Sequence, residues 1–370
     1  MDRLAALDDW DGLVHLRAAC LDATEETGRQ LWGPARYAAY RTALDAPAPI
    51  AASMLEPGVV RFGLGPLTEV VAQHHTFGEL APFLDATLLP VVAQERVLRG
   101  EDLRDDERAY GAPDDPPLVL QPFEPAYVLP EYRATERLDG AVPDPSETAA
   151  SSVAPAASGW GPLPDAEHDA VAGSVPGASG AVSGVPARLV RALEDVVAPW
   201  SAQSAAEIAV TALRGSTDDA CRALLAAASR PTAAVRGPIT TAALLRMLVH
   251  AGASGGVHGR RRGGAAGRSL AWWVVRCATG LDRVDAIDPE ELEFRLEDLE
   301  LVALRTPGEA AWRLELAIGS GSTGGSGGPG RAGEEWAVAI TALDHEDPAA
   351  KDPAAAAETD PEVHSDEAPW

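Results

Sequence analysis

The chain contains no asparagine, and one lysine, Lys351, among its 30 basic side chains. The lack of Asn excludes N-glycosylation and removes a common turn and cap residue. With its lysine so near the C-terminus, the chain has no Walker-type phosphate loop, whose Lys must follow a glycine run. Both scarce residues use A-rich codons, which reads as a high-GC genome where arginine is the default cation. Cysteine is also rare. Cys20, Cys221 and Cys277 are odd in number and far apart, and none lies beside a histidine. That excludes a metal-ligand spacing and reads as reduced, buried thiols. Aromatics are 5% of the chain, and alanine dominates the apolar residues, which favours helix over sheet. No stretch approaches the ~18 apolar residues that cross a bilayer. Met1–Asp9 lacks an apolar signal core. These absences predict a cytoplasmic protein with no membrane partner. Positive charge is in deficit as well: 30 basic against 56 acidic residues gives −26. Nucleic acid and anionic lipid would be repelled at long range, so neither is an expected partner.

What is present indicates two folded parts. The 370 residues exceed one typical domain. Apolar residues recur at helical spacing over 2–27, and a helix is expected from Gly33-Pro34 through Tyr37, Tyr40 and Leu44. Others are expected over Pro66–Gln73 and Leu88–Leu98. Thr76-Phe77-Gly78-Glu79 spells a capping box. Residues 114–130 carry five prolines and read as an extended segment laid across a surface. Residues 139–186 are rich in Pro, Gly, Ser and Ala and predict a disordered linker. The expected organisation is a helical domain over 1–138, this linker, an α+β domain over 187–345 and a disordered acidic tail over 346–370.

In the second domain, helices are expected from Leu189 to Pro199, from a Ser201 cap through Ile208 and Leu213, and from Ser216 onward. Two more are expected, one opened by Pro238 and one over Ala265–Gly280. Short helices in this succession resemble an α-solenoid fragment, although no fixed repeat is visible. Period-two alternation marks Trp312–Ile318 and Trp336–Thr341, with Leu299–Leu304 as a third strand. The fold class is therefore mostly α with a small C-terminal antiparallel sheet of about three strands, resting one face on the helices.

Three motif matches fail on context. Gly319–Gly324 spells G-x-G-x-x-G, but no helix follows to receive a pyrophosphate. Gly252–Gly256 spells G-x-S-x-G around Ser254, but a helix precedes it where a nucleophile elbow needs a strand. A second G-x-S-x-G at 324–328 is low-complexity sequence. His74-His75 has Glu69 and Glu79 nearby, which admits acid–base work. Adjacent histidines diverge on a helix, so a helix-to-helix turn is the simpler reading, and no metal site is expected.

The strongest candidate is the loop Gly255–Arg268. From Gly255 to Arg283 there are six Arg against one acid, a local +5 in a chain of −26. Glycine-turn amides and the N-terminus of a following helix attract anions, and arginine adds forked donors. His258, Arg260, Arg261, Arg262 and Arg268 are the anion-binding candidates. The same loop could equally be a solvated basic turn, or be paired with acids of its own chain. Trp272-Trp273 reads as core, with Trp273 on the buried stripe and Trp272 under the sheet or at a domain contact.

His74–Leu80, the Gly/Arg loop with Ala271-Trp272-Trp273, and Trp336–Asp344 carry a resemblance over about residues 30–110 and 240–345. The chain resembles an uncharacterised family of soluble proteins from high-GC bacteria, with no named activity. The resemblance therefore implies no catalytic residue. The functional expectation is a cytosolic binding or scaffold protein, not an enzyme and without a cofactor. Its Gly/Arg loop would accept an acidic protein or a phosphate-bearing small molecule. The alternative is a hydrolase or transferase using His74 or His75 with Glu79 or another nearby carboxylate.

Overall fold

The structure, a computed structural model, describes residues 1–55, 66–109, 115–124, 161–162, 185–186, 188–204, 206–228, 234–257, 259, 261–284, 287–306, 310, 312–320 and 335–345. Apart from 161–162 and 185–186, the predicted linker lies outside the described residues, as does the predicted tail.

The first part is helical: α1 (Asp2–Ala5), α2 (Trp10–Thr27), α3 (Trp32–Asp45), α4 (Ala48–Ala52), α5 (Leu67–His74), α6 (Phe77–Leu80) and α7 (Leu89–Leu98). Asp9 caps α2 by accepting the Gly12 amide at 2.9 Å. The capping box forms as the sequence predicts. The Thr76 hydroxyl accepts the Glu79 amide at 3.3 Å, and Glu79 accepts the Thr76 amide at 2.8 Å. The helices enclose a core that includes Val70, Val71, Phe77, Leu80, Val92 and Val97. Leu118 and Leu120 lie across that core, as an extended apolar segment should.

The second part combines α8 (Leu189–Gln203), α9 (Thr217–Ala227), α10 (Thr241–Ala253), α11 (Gly264–Thr279) and α12 (Pro289–Glu297) with an antiparallel sheet. Its principal strands are β2 (Glu207–Arg214), β3 (Val235–Pro238), β4 (Leu299–Arg305), β5 (Trp312–Ser320) and β6 (Trp336–Asp344). Beside β3 lies the two-residue β1 (Gly161–Pro162). The order is β1-β3-β4-β5-β6-β2. Ile340 is central, opposite Leu316 on one side and Val210 on the other.

Among the described residues the fold is α+β, with five principal strands where about three were expected. The predicted three are β4, β5 and β6. The helix expected over Ser201–Gly215 is instead the end of α8 followed by β2. Ile208, Val210 and Ala212 pack on the main core and Ala209 and Leu213 on the opposite cluster, so alternation governs the segment. Pro199 does not stop α8. A mid-helix proline costs about 3 kcal/mol. The extra turn buries Trp200 completely, removing roughly 150–250 Å² from water, worth about 4–6 kcal/mol. Its indole N–H also donates to the Ala251 carbonyl at 3.1 Å. The gain exceeds the loss, and the helix continues. Pro238 closes β3 and opens no helix; Thr240 caps α10 by accepting the Ala243 amide at 3.2 Å.

Both faces of the sheet are covered, where one was expected. Leu314, Leu316, Ile318, Val338, Ile340 and Ala342 meet α8, α10 and α11. On the other face Ala317, Ala337 and Ala339 meet Ala220, Cys221, Leu224 and Leu225 of α9. Alanine reads as neutral in a period-two pattern, so the second face carried little signal. Among the described residues the helices of the second part form no solenoid, because the sheet is their common platform. The two parts meet where α7 packs on α11, and Leu98 of α7 joins the main core.

Candidate functional site

The Gly/Arg loop lies at this meeting place, between α10 and α11. Two glycines make the approach possible. Gly263 sits at φ +95°, and a Cβ there would stand 2.6 Å from Pro66 Cγ. Gly267, one turn into α11, lies so close to α10 that its Cβ would be 2.3 Å from the Val249 carbonyl oxygen. The loop is tied at both ends. The Val257 amide donates to the buried Asp344 carboxylate at 2.7 Å, and the Arg262 amide donates to the Ala253 carbonyl at 2.7 Å.

The anion that the N-terminus of α11 favours is supplied by the chain itself. Glu95 of α7, 1% exposed, accepts the Ala265 amide at 2.7 Å and Arg99 at 2.9 Å. A carboxylate at this position answers both the unpaired first-turn amides and the helix dipole. Arg99 also donates to the Glu69 carbonyl at 3.0 Å, which joins α7 to α5.

Arg268 is fully buried, and each of its five N–H groups has an acceptor. Nε and Nη2 both reach Glu124 at 3.0 Å. Nη1 donates to Gln94 and to the Pro117 carbonyl, and Nη2 also reaches the Val119 carbonyl. Glu124 additionally accepts the Trp272 indole at 2.7 Å and the Gln121 amide at 2.6 Å. A buried guanidinium is tolerated when its fork and its partner's lone pairs are filled in this way. Arg268 therefore fastens the extended segment to α11 and is closed to an incoming anion. Trp272 is fully buried at the contact between the two parts, one of the two places expected for it, whereas Trp273, expected on the buried stripe, is half-buried against the main core.

Arg261 pairs with Glu69 of α5 at 2.5 Å. Burial pushes the Glu69 carboxyl up to about 7, and Glu95 adds to the rise while Arg261 and Arg99 oppose it. Arg262 is different. It is half-buried, and its guanidinium has no hydrogen-bond or ion-pair partner among the described residues. Desolvation holds its pKa below the ordinary value, and Asp195 of α8 opposes that shift. His258 and Arg260 lie outside the described residues.

His74 is the last residue of α5 and His75 its C-terminal cap, both half-buried. Glu79 spends its carboxylate on the capping box, and the hydrogen bonds from Thr76 hold it below the usual carboxylate range. Glu69 is turned to Arg261. The charge of His75 adds to the lowering of Glu79, but the hydrogen bonds of that carboxylate go to Thr76. Among the described residues no group of three His, Cys, Asp or Glu side chains could hold a metal ion. Ser254 is buried and donates to the Ala251 carbonyl at 3.2 Å, three residues back. Burial pushes the thiols of Cys221 and Cys277 up to about 12, which leaves them protonated.

Sequence reasoning missed Gln94, Glu95 and Glu124, the acceptors that organise the junction. One signal was present: Gln94-Glu95-Arg96 interrupts the apolar run Leu88–Leu98, and all three are buried. Polar residues inside a buried helix call for partners, but their distance along the chain hid which ones.

No curated protein and no solved structure matches the chain. Among the described residues no helix is long and apolar enough to cross a membrane. A family model does match residues 1–318, a span that takes in both sides of the junction from Glu69 to Trp272, and the chain belongs to that family of unknown function, DUF6183.

Proposed function

We propose that the protein is a cytosolic, non-enzymatic binding or scaffold protein that receives an anionic ligand or an acidic partner surface at the Gly/Arg loop, through Arg262. The observation that carries this reading is the contrast among the loop's arginines. Arg261 and Arg268 are committed to Glu69 and Glu124, while the Arg262 guanidinium is partly desolvated without a partner among the described residues. A cation already withdrawn from water loses less when a carboxylate or phosphate arrives, and the pair is less screened. The closed hydrogen-bond network behind it gives the loop a rigid base. The histidine-based alternative has less support, because the hydrogen bonds of Glu79 go to the Thr76 capping box and Glu69 is paired with Arg261.

The test uses two probes of the expected chemistry, ATP and poly-glutamate, titrated into the full chain at low salt. Arg262→Ala should weaken binding by about tenfold or more, the worth of a hydrogen bond to a charged group. The loss should shrink as salt is raised. If neither probe binds, or if Arg262→Ala binds like the wild type, the reading fails.

A further inference from the structure

The two ends of the sheet are built differently. At one end β3 has four residues, finishes in Pro238 and carries β1 outside it. Short strands and prolines blunt an edge against pairing with another chain. At the other end β2 has eight residues with no proline or glycine, and among the described residues it pairs with β6 alone.

The phase of that pairing decides which groups face outward. Just past the strand, the Gly215 amide donates to the Glu335 carbonyl at 2.9 Å, in the register of β2 on β6. Every second residue back from Gly215 therefore turns its backbone to β6: Leu213, Thr211 and Ala209. Ile208, Val210 and Ala212 turn theirs away from the sheet. Their outward amides and carbonyls meet no hydrogen-bonding group among the described residues. The side chains are packed, those of Ile208, Val210 and Ala212 on the main core and those of Ala209 and Leu213 on the α9 side. What remains open is a row of backbone donors and acceptors.

We infer that β2 is a dimerisation strand, which pairs antiparallel with β2 of a second copy and continues the sheet across a two-fold axis. In such a sheet the axis stands perpendicular to the strands' plane, so opposed residues point to the same face. Centred on Val210, the pairing sets Val210 against its own counterpart, Ile208 against Ala212 of the second copy, and Ala209 against Thr211 of the second copy. Three narrow pairs with two bonds each give about six hydrogen bonds, and they use the outward groups of Ile208, Val210 and Ala212. A long side chain meets a short one, and a β-branched one meets itself. Glu207 falls opposite Leu213 and Arg214 opposite Ala206, so no like charges are opposed. The strand holds one acid and one base, so the chain's acidity is not concentrated at this contact. An unrelated extended peptide would match the backbone row, whereas a second copy matches the side chains also.

The test is sedimentation of the full chain over rising concentration, joined to residue-level hydrogen exchange. The mass should climb from 38.5 kDa towards twice that value. The amides of Ile208, Val210 and Ala212 should slow with the dimer fraction, about tenfold when nine-tenths of the chain is paired. The Thr211 amide, which faces β6, should be protected throughout. Val210→Pro deletes an outward amide and no bond to β6, so it should stay folded by circular dichroism and remain a monomer. Should that variant unfold, exchange in the wild type still decides. A chain that stays monomeric at every concentration overturns the inference. So does a dimer whose three amides exchange as in the monomer, or a folded Val210→Pro chain that dimerises like the wild type.

Discussion

Replacing Glu124 by glutamine removes a charge and almost no volume. The wild-type carboxylate is fully buried and accepts two N–H groups of Arg268 at 3.0 Å, the Trp272 indole at 2.7 Å and the Gln121 amide at 2.6 Å. Glutamine keeps one acceptor oxygen and turns an NH2 group towards donors. Arg268, 0% exposed, is left as a buried cation without its counter-charge. Breaking one side of such a pair costs about 3–5 kcal/mol. In a domain of this size each kcal/mol moves the melting temperature by about 2–4 °C, so the shift should be roughly 6–20 °C. The double variant Glu124→Leu/Arg268→Met removes the uncompensated charge and should recover part of the loss; recovery stays incomplete, because the Trp272 indole, the Gln121 amide and the Pro117 carbonyl lose their partners. Urea unfolding followed by tryptophan fluorescence reads both, with Trp272 at the site itself. A Glu124→Gln loss below about 1 kcal/mol would be that of an ordinary hydrogen bond, and would refute the argument that this charge pair fastens the junction. A double variant as unstable as the sum of its singles would do the same.

Two further outcomes follow from the same junction. Gly263→Ala should cost more than about 1 kcal/mol, from the strained φ together with the Pro66 contact, and a melting curve unchanged within error would contradict the close approach. Glu69 should make stability fall as pH rises. Its folded pKa is raised from 4.5 to about 7, so the folded state holds the proton more tightly. That contribution is complete below the unfolded pKa and is lost as pH climbs through the folded one. Glu69→Gln should flatten this part of the stability-versus-pH curve, and parallel curves for variant and wild type would speak against it.

Much of the helical framework was legible because its signals are local. The capping box at Thr76, the proline-bounded helix ends around Ala46 and the long stripe of α11 each lie within a turn or two of one another. The strands β4, β5 and β6 were legible for the same reason, since large apolar residues alternate within each. β2 was not. Ile208, Val210 and Leu213 satisfy a helical spacing as well as an alternating one, and the eight-residue pairing with β6 settles the choice. Pro199 misled for a related reason: the cost of a proline is local, whereas the burial of Trp200 that outweighs it comes from α10.

At the candidate site the sequence pointed to the Gly/Arg loop and left open whether its cations pair with external groups or with acids of the same chain. Only the tertiary structure could assign those partners. Arg268 and Glu124 are 144 residues apart, and Arg261 and Glu69 are 192 apart. Sequence patterning determines which faces are apolar and where helices begin and end, because those depend on neighbours along the chain. Which carboxylate neutralises which buried arginine, and which strand lies at the edge of the sheet among the described residues, depend on contacts across space. The packing of α7 on α11 decided the first, and the order of the strands decided the second.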